Sequence, residues 1–262
     1  MKSDLKKEDA ILTEVLKALS EWNDTVVIGG GYALIAYRLY FDDKKNSTPT
    51  ATRDIDSILP RKITGKHKGN IGETLIGAGF VRKFKDREQP ATESYIKEIK
   101  GEEIELEFLT DKKTRGDKEI NVPIAGIVAQ PLSYIEMSYE NILEFKTNSG
   151  IKGKIVDPAA WIFHKLLTFV KRRSRDSKYF KDIYGVWYVA NELGTFSKSA
   201  VQDFKKLAKE NTSWFKTAKQ NADSFVSEAT PEDWSKLESQ DVSGKLTKAS
   251  VLKIFRELGL LK

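Results

Sequence analysis

The sequence predicts a mixed α+β protein: a mixed sheet with flanking helices over residues 1–156, followed by a helical domain over 157–262. Three observations carry that expectation. Short runs that are apolar, or that alternate apolar and polar residues, crowd the first part and are bounded by glycine and polar turns. Their close succession asks for more antiparallel pairing than a doubly wound sheet contains. After Asp157-Pro158, apolar residues recur at helical spacing almost to the last residue.

Taken in order, "KKEDAILTEVLKALSEW" places Ile11, Val15, Leu16 and Leu19 on one helical stripe, so an amphipathic helix opens the chain. "TVVIGGGYALIAYRL" reads as a short buried strand, a glycine turn and a second helix, and "FDDKKNSTPTAT" as a loop. A strand from Asp54 to Leu59 follows, then a helix near 68–78 and the strand-like segments "FVRKFK", "ESYIKEIK", "EEIELEFLT" and "EINVPI". "ILEFKTNSGIKGKIV" has the form of a hairpin. Asp157 as N-cap with Pro158 at the first helical position begins the helical part. Helices are expected over 158–173, 178–193, 198–210 and 247–258, with another opening at Thr230 in "TPEDW". No internal repeat or low-complexity linker separates the two parts, so they are expected to pack together around a cleft.

At 262 residues, with 40% hydrophobic and 31% charged residues, the chain has the composition of a globular protein with a sizeable core. No apolar run approaches the ~18 residues that span a bilayer, and the charged opening lacks a signal core, so a cytoplasmic location without a membrane partner is the expectation. The absence of cysteine excludes disulfides, thiol nucleophiles and thiolate zinc sites. With two histidines, His67 and His164, any metal must lean on carboxylates. The net charge of +6 is uneven: residues 157–262 carry 19 Lys+Arg against 13 Asp+Glu, whereas the first 156 residues balance at 25 of each. Such an excess suits a polyanionic partner or a solvated helical surface.

The chemistry gathers at "ATRDIDSILP". Successive strand side chains point to opposite faces, so Asp54 and Asp56 share one face while Ile55 turns to the other. Two neighbouring carboxylates repel unless a cation lies between them, and hard oxygen donors favour magnesium or manganese. Alone, Asp-x-Asp is more often an acidic strand end in water. The pattern recurs in "EEIELEFL", where Glu105 and Glu107 share one face and Ile104, Leu106 and Phe108 the other. A third carboxylate beside Asp54 and Asp56 would complete a two-metal site for in-line phosphoryl displacement. Glu107, deeper in the apolar run, is the preferred third ligand and Glu105 the alternative. Upstream, "VVIGGGYAL" offers a glycine turn at a helix start where backbone N–H groups can hold phosphate. It lacks the Gly-Lys-Ser/Thr of a Walker loop, and Leu34 replaces the third glycine of a dinucleotide fingerprint.

Gly30-Gly31, the Asp54/Asp56 pair and an acid on a later strand resemble the nucleotidyltransferase superfamily that includes DNA polymerase beta. More narrowly, "GGYAL" with "TRDID" is similar to the AbiEii and MenT group of minimal nucleotidyltransferases, toxins of bacterial abortive-infection and toxin–antitoxin pairs. "DPAAWIFHKLLTFVKRRSRDSKYFKDIYGV" resembles that group's third motif through Asp157, Lys165, Arg172 and Lys181-Asp182. The resemblance covers roughly residues 25–190. It implies a nucleotidyltransferase-type sheet and magnesium- or manganese-dependent transfer of a nucleotide from a nucleoside triphosphate to RNA, such as tRNA, or to protein, with a possible cognate antitoxin as partner. It assigns both metals to Asp54 and Asp56, the catalytic metal and the deprotonation of the attacking hydroxyl to Glu107, and the β- and γ-phosphates to Gly30 and Gly31. Thr52 joins the nucleotide-positioning set, Lys165, Arg172 and Lys181 meet the leaving pyrophosphate, and Asp182 orients the basic cluster. From spacing alone, Lys165 and Arg172, seven residues apart, are expected on one helix face. The same chemistry suits a small-molecule adenylyltransferase, and a fold that has lost turnover would serve as an RNA- or protein-binding module. The basic run "KRRSRDSK" (171–178) reads as an RNA or phosphate contact or as a solvated helix end. Phe180, Tyr184 and Trp187, at helical spacing, are expected in the core.

Overall fold

The computed structural model describes residues 4–43, 48–63, 69–113, 121–174 and 176–262. The expected helix start at 68, the first two residues of "EINVPI", His67 and Arg175 lie outside them. The fold is α+β, and the chain divides into two compact units. One comprises Asp4–Tyr40 and Thr52–Asp157; the other comprises Pro158–Lys262 together with 41–51.

The first unit is built on a mixed sheet. Helix α1 (Leu5–Ala18) is capped by Asp4, whose carboxylate accepts from the Lys6 and Lys7 N–H groups, and it buries Ile11, Leu12, Val15 and Leu16. Strand β1 (Val27–Ile28) leads into α2 (Gly30–Tyr40), then β2 (Asp54–Ile58) and α3 (Ile71–Gly77). Strands β3 (Val81–Phe84), β4 (Glu93–Ile99), β5 (Glu102–Asp111), β6 (Val122–Ile124) and β7 (Ile127–Leu132) follow, then α4 (Ile135–Glu140) and the hairpin β8 (Ile142–Lys146) and β9 (Lys152–Val156). The sheet runs in the order β3-β4-β5-β2-β1-β9-β8, and β7 pairs with the far end of β5. β1 is parallel to β9, and β2 to β5, while β3/β4, β4/β5, β1/β2 and β8/β9 are antiparallel. One sheet face is dry: Ile55, Tyr95, Ile104, Leu106 and Phe108 are fully buried, and the Tyr95 and Phe108 rings meet edge to face at 5.9 Å.

β7 and α4 were not foreseen. "IVAQPL" is short, lacks clean alternation and carries Pro131, and α4 begins after Tyr134 at φ +68, so neither displays a strong period.

The second unit is helical: α5 (Pro158–Thr168), α6 (Asp176–Asn191), α7 (Thr195–Glu210), α8 (Thr212–Glu228), α9 (Pro231–Glu238) and α10 (Lys248–Glu257). The helix expected over 158–173 instead ends at Thr168 and tightens into a 3₁₀ turn over Phe169–Arg172. Thr168 turns its hydroxyl back to the His164 carbonyl at 2.8 Å, a bond that competes with helix continuation. Thr230 caps α9 in a reciprocal capping box with Asp233. α8, 17 residues long, escaped the periodicity reading because its buried stripe is Ala218, Ala222 and Phe225, two of them too small to mark a hydrophobic face. Phe180, Tyr184 and Trp187 are buried as expected. Among the described residues, no helix is long and apolar enough to cross a membrane.

Candidate functional site

In the sheet unit, β2 and β5 lie side by side and parallel, with Asp54 opposite Glu105 and Asp56 opposite Glu107. Residues opposite each other share a face, so all four acids stand on the face away from Ile55 and Leu106. The same row continues across two more strands, because Glu107 faces Ser94 on β4 and Ser94 faces Lys83 on β3. Asp54 is exposed and Asp56 half-buried; the Glu105 and Glu107 side chains are 22% and 26% exposed. The acids therefore line a shallow wet surface over a dry sheet.

The counter-charge at this face comes from Lys85, just beyond β3. Its ammonium donates to Glu105 Oε1 at 2.8 Å and also to Glu107 Oε1. Partial burial works against the Lys85 ammonium, yet the bonds to Glu105 and Glu107 outweigh it and hold the group above the usual lysine range. For Glu105, burial pushes upward, but the hydrogen bonds from Lys85 and Ser94 and the Lys85 charge outweigh it and hold the carboxyl below the usual range.

Asp56 is held differently. Gly30 opens α2 with φ +57, and a Cβ there would lie 1.6 Å from Asp56 Oδ2. Only glycine lets the carboxylate rest on the first residue of α2, where the helix dipole favours negative charge. Gly29 N–H donates to the Asp56 carbonyl at 2.8 Å, fixing the turn to β2. Thr52 is buried beside Gly31, its Cγ2 3.2 Å from where a Gly31 Cβ would stand.

Between Thr52 and Asp54, Arg53 donates to the buried Glu8 carboxylate at 3.0 Å and to Glu102 at 2.9 Å. Tyr32 of α2 donates to the other oxygen of Glu8 at 2.6 Å; burial above all, and then the charge and hydrogen bond of Glu8, drive the phenol pKa far upward. This chain of polar groups ties α1, α2 and the start of β5 to the residue that precedes Asp54.

In the helical unit, Lys165 of α5 and Arg172 of the 3₁₀ turn converge on Asp182 of α6, Lys165 Nζ at 2.7 Å from Oδ1 and Arg172 Nη1 at 3.1 Å from Oδ2. The two cations are brought together by a shared acid rather than by one continuous helix face, since α5 stops between them. Lys165 and Asp182 are 7% and 5% exposed, and the ammonium also lies 5.3 Å above the Trp161 ring. Lys181, half-buried, precedes Asp182 on α6. The basic run near 171 contributes Arg173, which pairs with Glu228 of α8.

The residues singled out from the sequence thus form two groups: Gly30, Gly31, Thr52, Asp54, Asp56, Glu105 and Glu107 in the sheet unit, and Lys165, Arg172, Lys181 and Asp182 in the helical one. Lys85 and Arg53 were missed. Their partners lie 20 and 22 residues away for Lys85, and 45 and 49 for Arg53, separations that leave no periodic signal. Among the described residues, no three His, Asp or Glu side chains are gathered closely enough to hold a metal ion. The donor chemistry is nonetheless the kind a hard divalent cation takes: four carboxylates share one face in register, and two of them already bind a positive group.

A family model described as nucleotidyltransferase matches residues 9–208, a span that contains every residue of both groups. Among solved structures, the chain is similar to an antigenic nucleotidyltransferase-like protein from Paracoccidioides brasiliensis, at 13% identity and a TM-score of 0.44, over 83% of this chain and 94% of that one. No curated protein matches it.

Proposed function

The chain belongs to the nucleotidyltransferase family, and from that premise we propose that it transfers a nucleotide from a nucleoside triphosphate to an acceptor hydroxyl on RNA, such as tRNA, or on protein. The observation that carries the reading is the pairing of Asp54 with Glu105 and Asp56 with Glu107, which sets four acids on one face of two parallel strands. Asp54, Asp56 and Glu107, or Glu105 in its place, are the residues to hold magnesium or manganese. When bound, the metal supplies charge neutralisation of the triphosphate and acidification of the acceptor hydroxyl.

The chain's own groups do the rest. Glu107 accepts the hydroxyl proton, the hydroxyl oxygen bonds to the α-phosphorus, and the bond from that phosphorus to the bridging oxygen breaks to release pyrophosphate. Gly30 and Gly31 bring backbone close to the phosphates, with Thr52 packed beneath Gly31. Lys165, Arg172 and Lys181 are the groups for the pyrophosphate charge, Asp182 fixing the first two. The role that goes with this reading is that of an AbiEii-like toxin, acting in the cytoplasm and restrained by an antitoxin.

The test is magnesium-dependent incorporation of each radiolabelled nucleoside triphosphate into total RNA and protein, with the natural chain and with Asp54→Ala/Asp56→Ala. Label seen only with the natural chain supports transfer and identifies the acceptor. Growth arrest on expression that disappears with Asp54→Ala supports the toxin role. A second reading, a binding module without turnover, draws on the pairing of Glu105 and Glu107 by Lys85. It predicts no label with any triphosphate and a growth effect unchanged by Asp54→Ala.

A further inference from the structure

Lys85 occupies a particular place. Its ammonium bridges two carboxylates that alternate on one strand face, donating to Glu105 Oε1 at 2.8 Å and to Glu107 Oε1. It reaches them from the edge of the sheet, across β4, and its side chain remains 39% exposed. The backbone from which it springs is fixed. Lys85 N–H donates to the Thr92 carbonyl at 2.9 Å, and the Thr92 hydroxyl and N–H are tied to Asp86 at 2.5 and 3.3 Å. A four-carbon stem on a fixed backbone with an open side can swing its charge into water without moving a strand. An ammonium and a divalent cation cannot both sit against the same two oxygens, since like charges at that distance repel strongly.

We propose that Lys85 is the resident counter-cation of the Glu105–Glu107 pair and that a divalent metal binds this face by displacing it. The inference rests on the metal-binding reading given above and adds to it a residue that sets how tightly the metal is held. In the metal-free protein Lys85 offsets part of the repulsion between these two like charges. On loading, metal binding and release of the ammonium are one exchange, so whatever weakens the lysine contact tightens the metal by the same factor.

The experiment is a Mn²⁺ titration followed by electron paramagnetic resonance, on the natural chain, Lys85→Met and Lys85→Arg, with the melting temperature of each measured with and without Mn²⁺. Lys85→Met is expected to bind Mn²⁺ about tenfold more tightly, the scale of one charged hydrogen bond, to melt lower than the natural chain without metal, and to recover when Mn²⁺ is added. Lys85→Arg, which keeps the charge, is expected to stay near the natural affinity. A second measurement needs no variant: the rate at which an amine-reactive reagent modifies Lys85, read by mass spectrometry, is expected to rise several-fold when Mn²⁺ is added. Equal or weaker Mn²⁺ affinity in Lys85→Met, or a labelling rate indifferent to Mn²⁺, overturns the displacement while leaving the metal site standing. Absence of Mn²⁺ binding in all three proteins overturns the metal reading and this inference with it.

Discussion

Lys165 and Asp182 illustrate how much one side chain can decide. Both are more than nine-tenths buried and 2.7 Å apart, so neither charge has water to fall back on. Removing one partner of such a pair strands the other, at a cost of about 3–5 kcal/mol. Asp182→Ala is therefore expected to lower the denaturation midpoint sharply. The double variant Lys165→Met/Asp182→Leu removes both charges and should recover most of the loss, since Arg172, 34% exposed, can turn to solvent. A double variant no more stable than the single one would mean that Asp182 acts through something other than charge pairing. At this scale the acids were legible in the sequence and the cations only in part. Period-two alternation placed Asp54, Asp56, Glu105 and Glu107 on polar faces without any knowledge of strand order. The spacing that brings Arg172 near Lys165 assumes a helix continuous to 172, whereas α5 ends at Thr168, and Lys85 was invisible because its contact depends on β3 lying two strands from β5.

Helices α5 and α6 cross where Gly185 meets Trp161: a Cβ on Gly185 would lie 2.4 Å from Trp161 Cη2. In an open helix, glycine to alanine gains about 0.5–1 kcal/mol. Here the added methyl must push a tryptophan that is 4% exposed, and overpacking of that kind costs about 1–3 kcal/mol. The clash should win, so Gly185→Ala is expected to lower the melting temperature and, because Lys165 lies over that ring, to disturb the buried ion pair. A rise in melting temperature would show that Trp161 has room to move. The turn between α9 and α10 carries a pH-dependent contribution. Burial raises the Asp241 carboxyl, but bonds from the Ser243 hydroxyl and the Leu246, Ser243 and Lys245 N–H groups outweigh it and hold the pKa below the usual range. A depressed folded pKa contributes stability above the unfolded value of about 3.9, and that stability is lost as pH falls through the folded one. Asp241→Asn should thus melt below the natural chain at pH 7, with the gap closing on acidification below about pH 4; a constant gap would exclude the carboxylate charge as its cause. Elements with strong local signals, such as the Asp157-Pro158 start and the Thr230 cap, were readable in advance. α8 was not, because its packing is set by alanines whose burial depends on neighbours rather than on their own hydrophobicity.

Across the whole molecule, the excess of positive charge belongs to the helical part, and the structure gives part of it an address. Lys198, Lys205 and Lys209 of α7 are exposed and fall at spacings of seven and four, which places them on one helix face. None of the three has an ion-pair partner among the described residues. A face of unpaired lysines binds polyanions by releasing their counterions, and each phosphate neutralised adds about 0.7 to the logarithmic salt slope for a single strand, or about 0.9 for a duplex. If the acceptor is RNA, the affinity of total tRNA should fall as KCl is raised from 50 to 200 mM. Lys198→Glu/Lys205→Glu/Lys209→Glu should weaken binding and flatten the slope by about 2–3. The acids of the sheet unit respond to different variants: Asp54→Ala should abolish transfer while leaving the salt slope unchanged, because Asp54 neutralises no phosphate. A triple variant that binds tRNA with an unaltered slope would remove this face from the acceptor site. If such a variant also labelled protein as the natural chain does, the choice of acceptor would pass from RNA to protein.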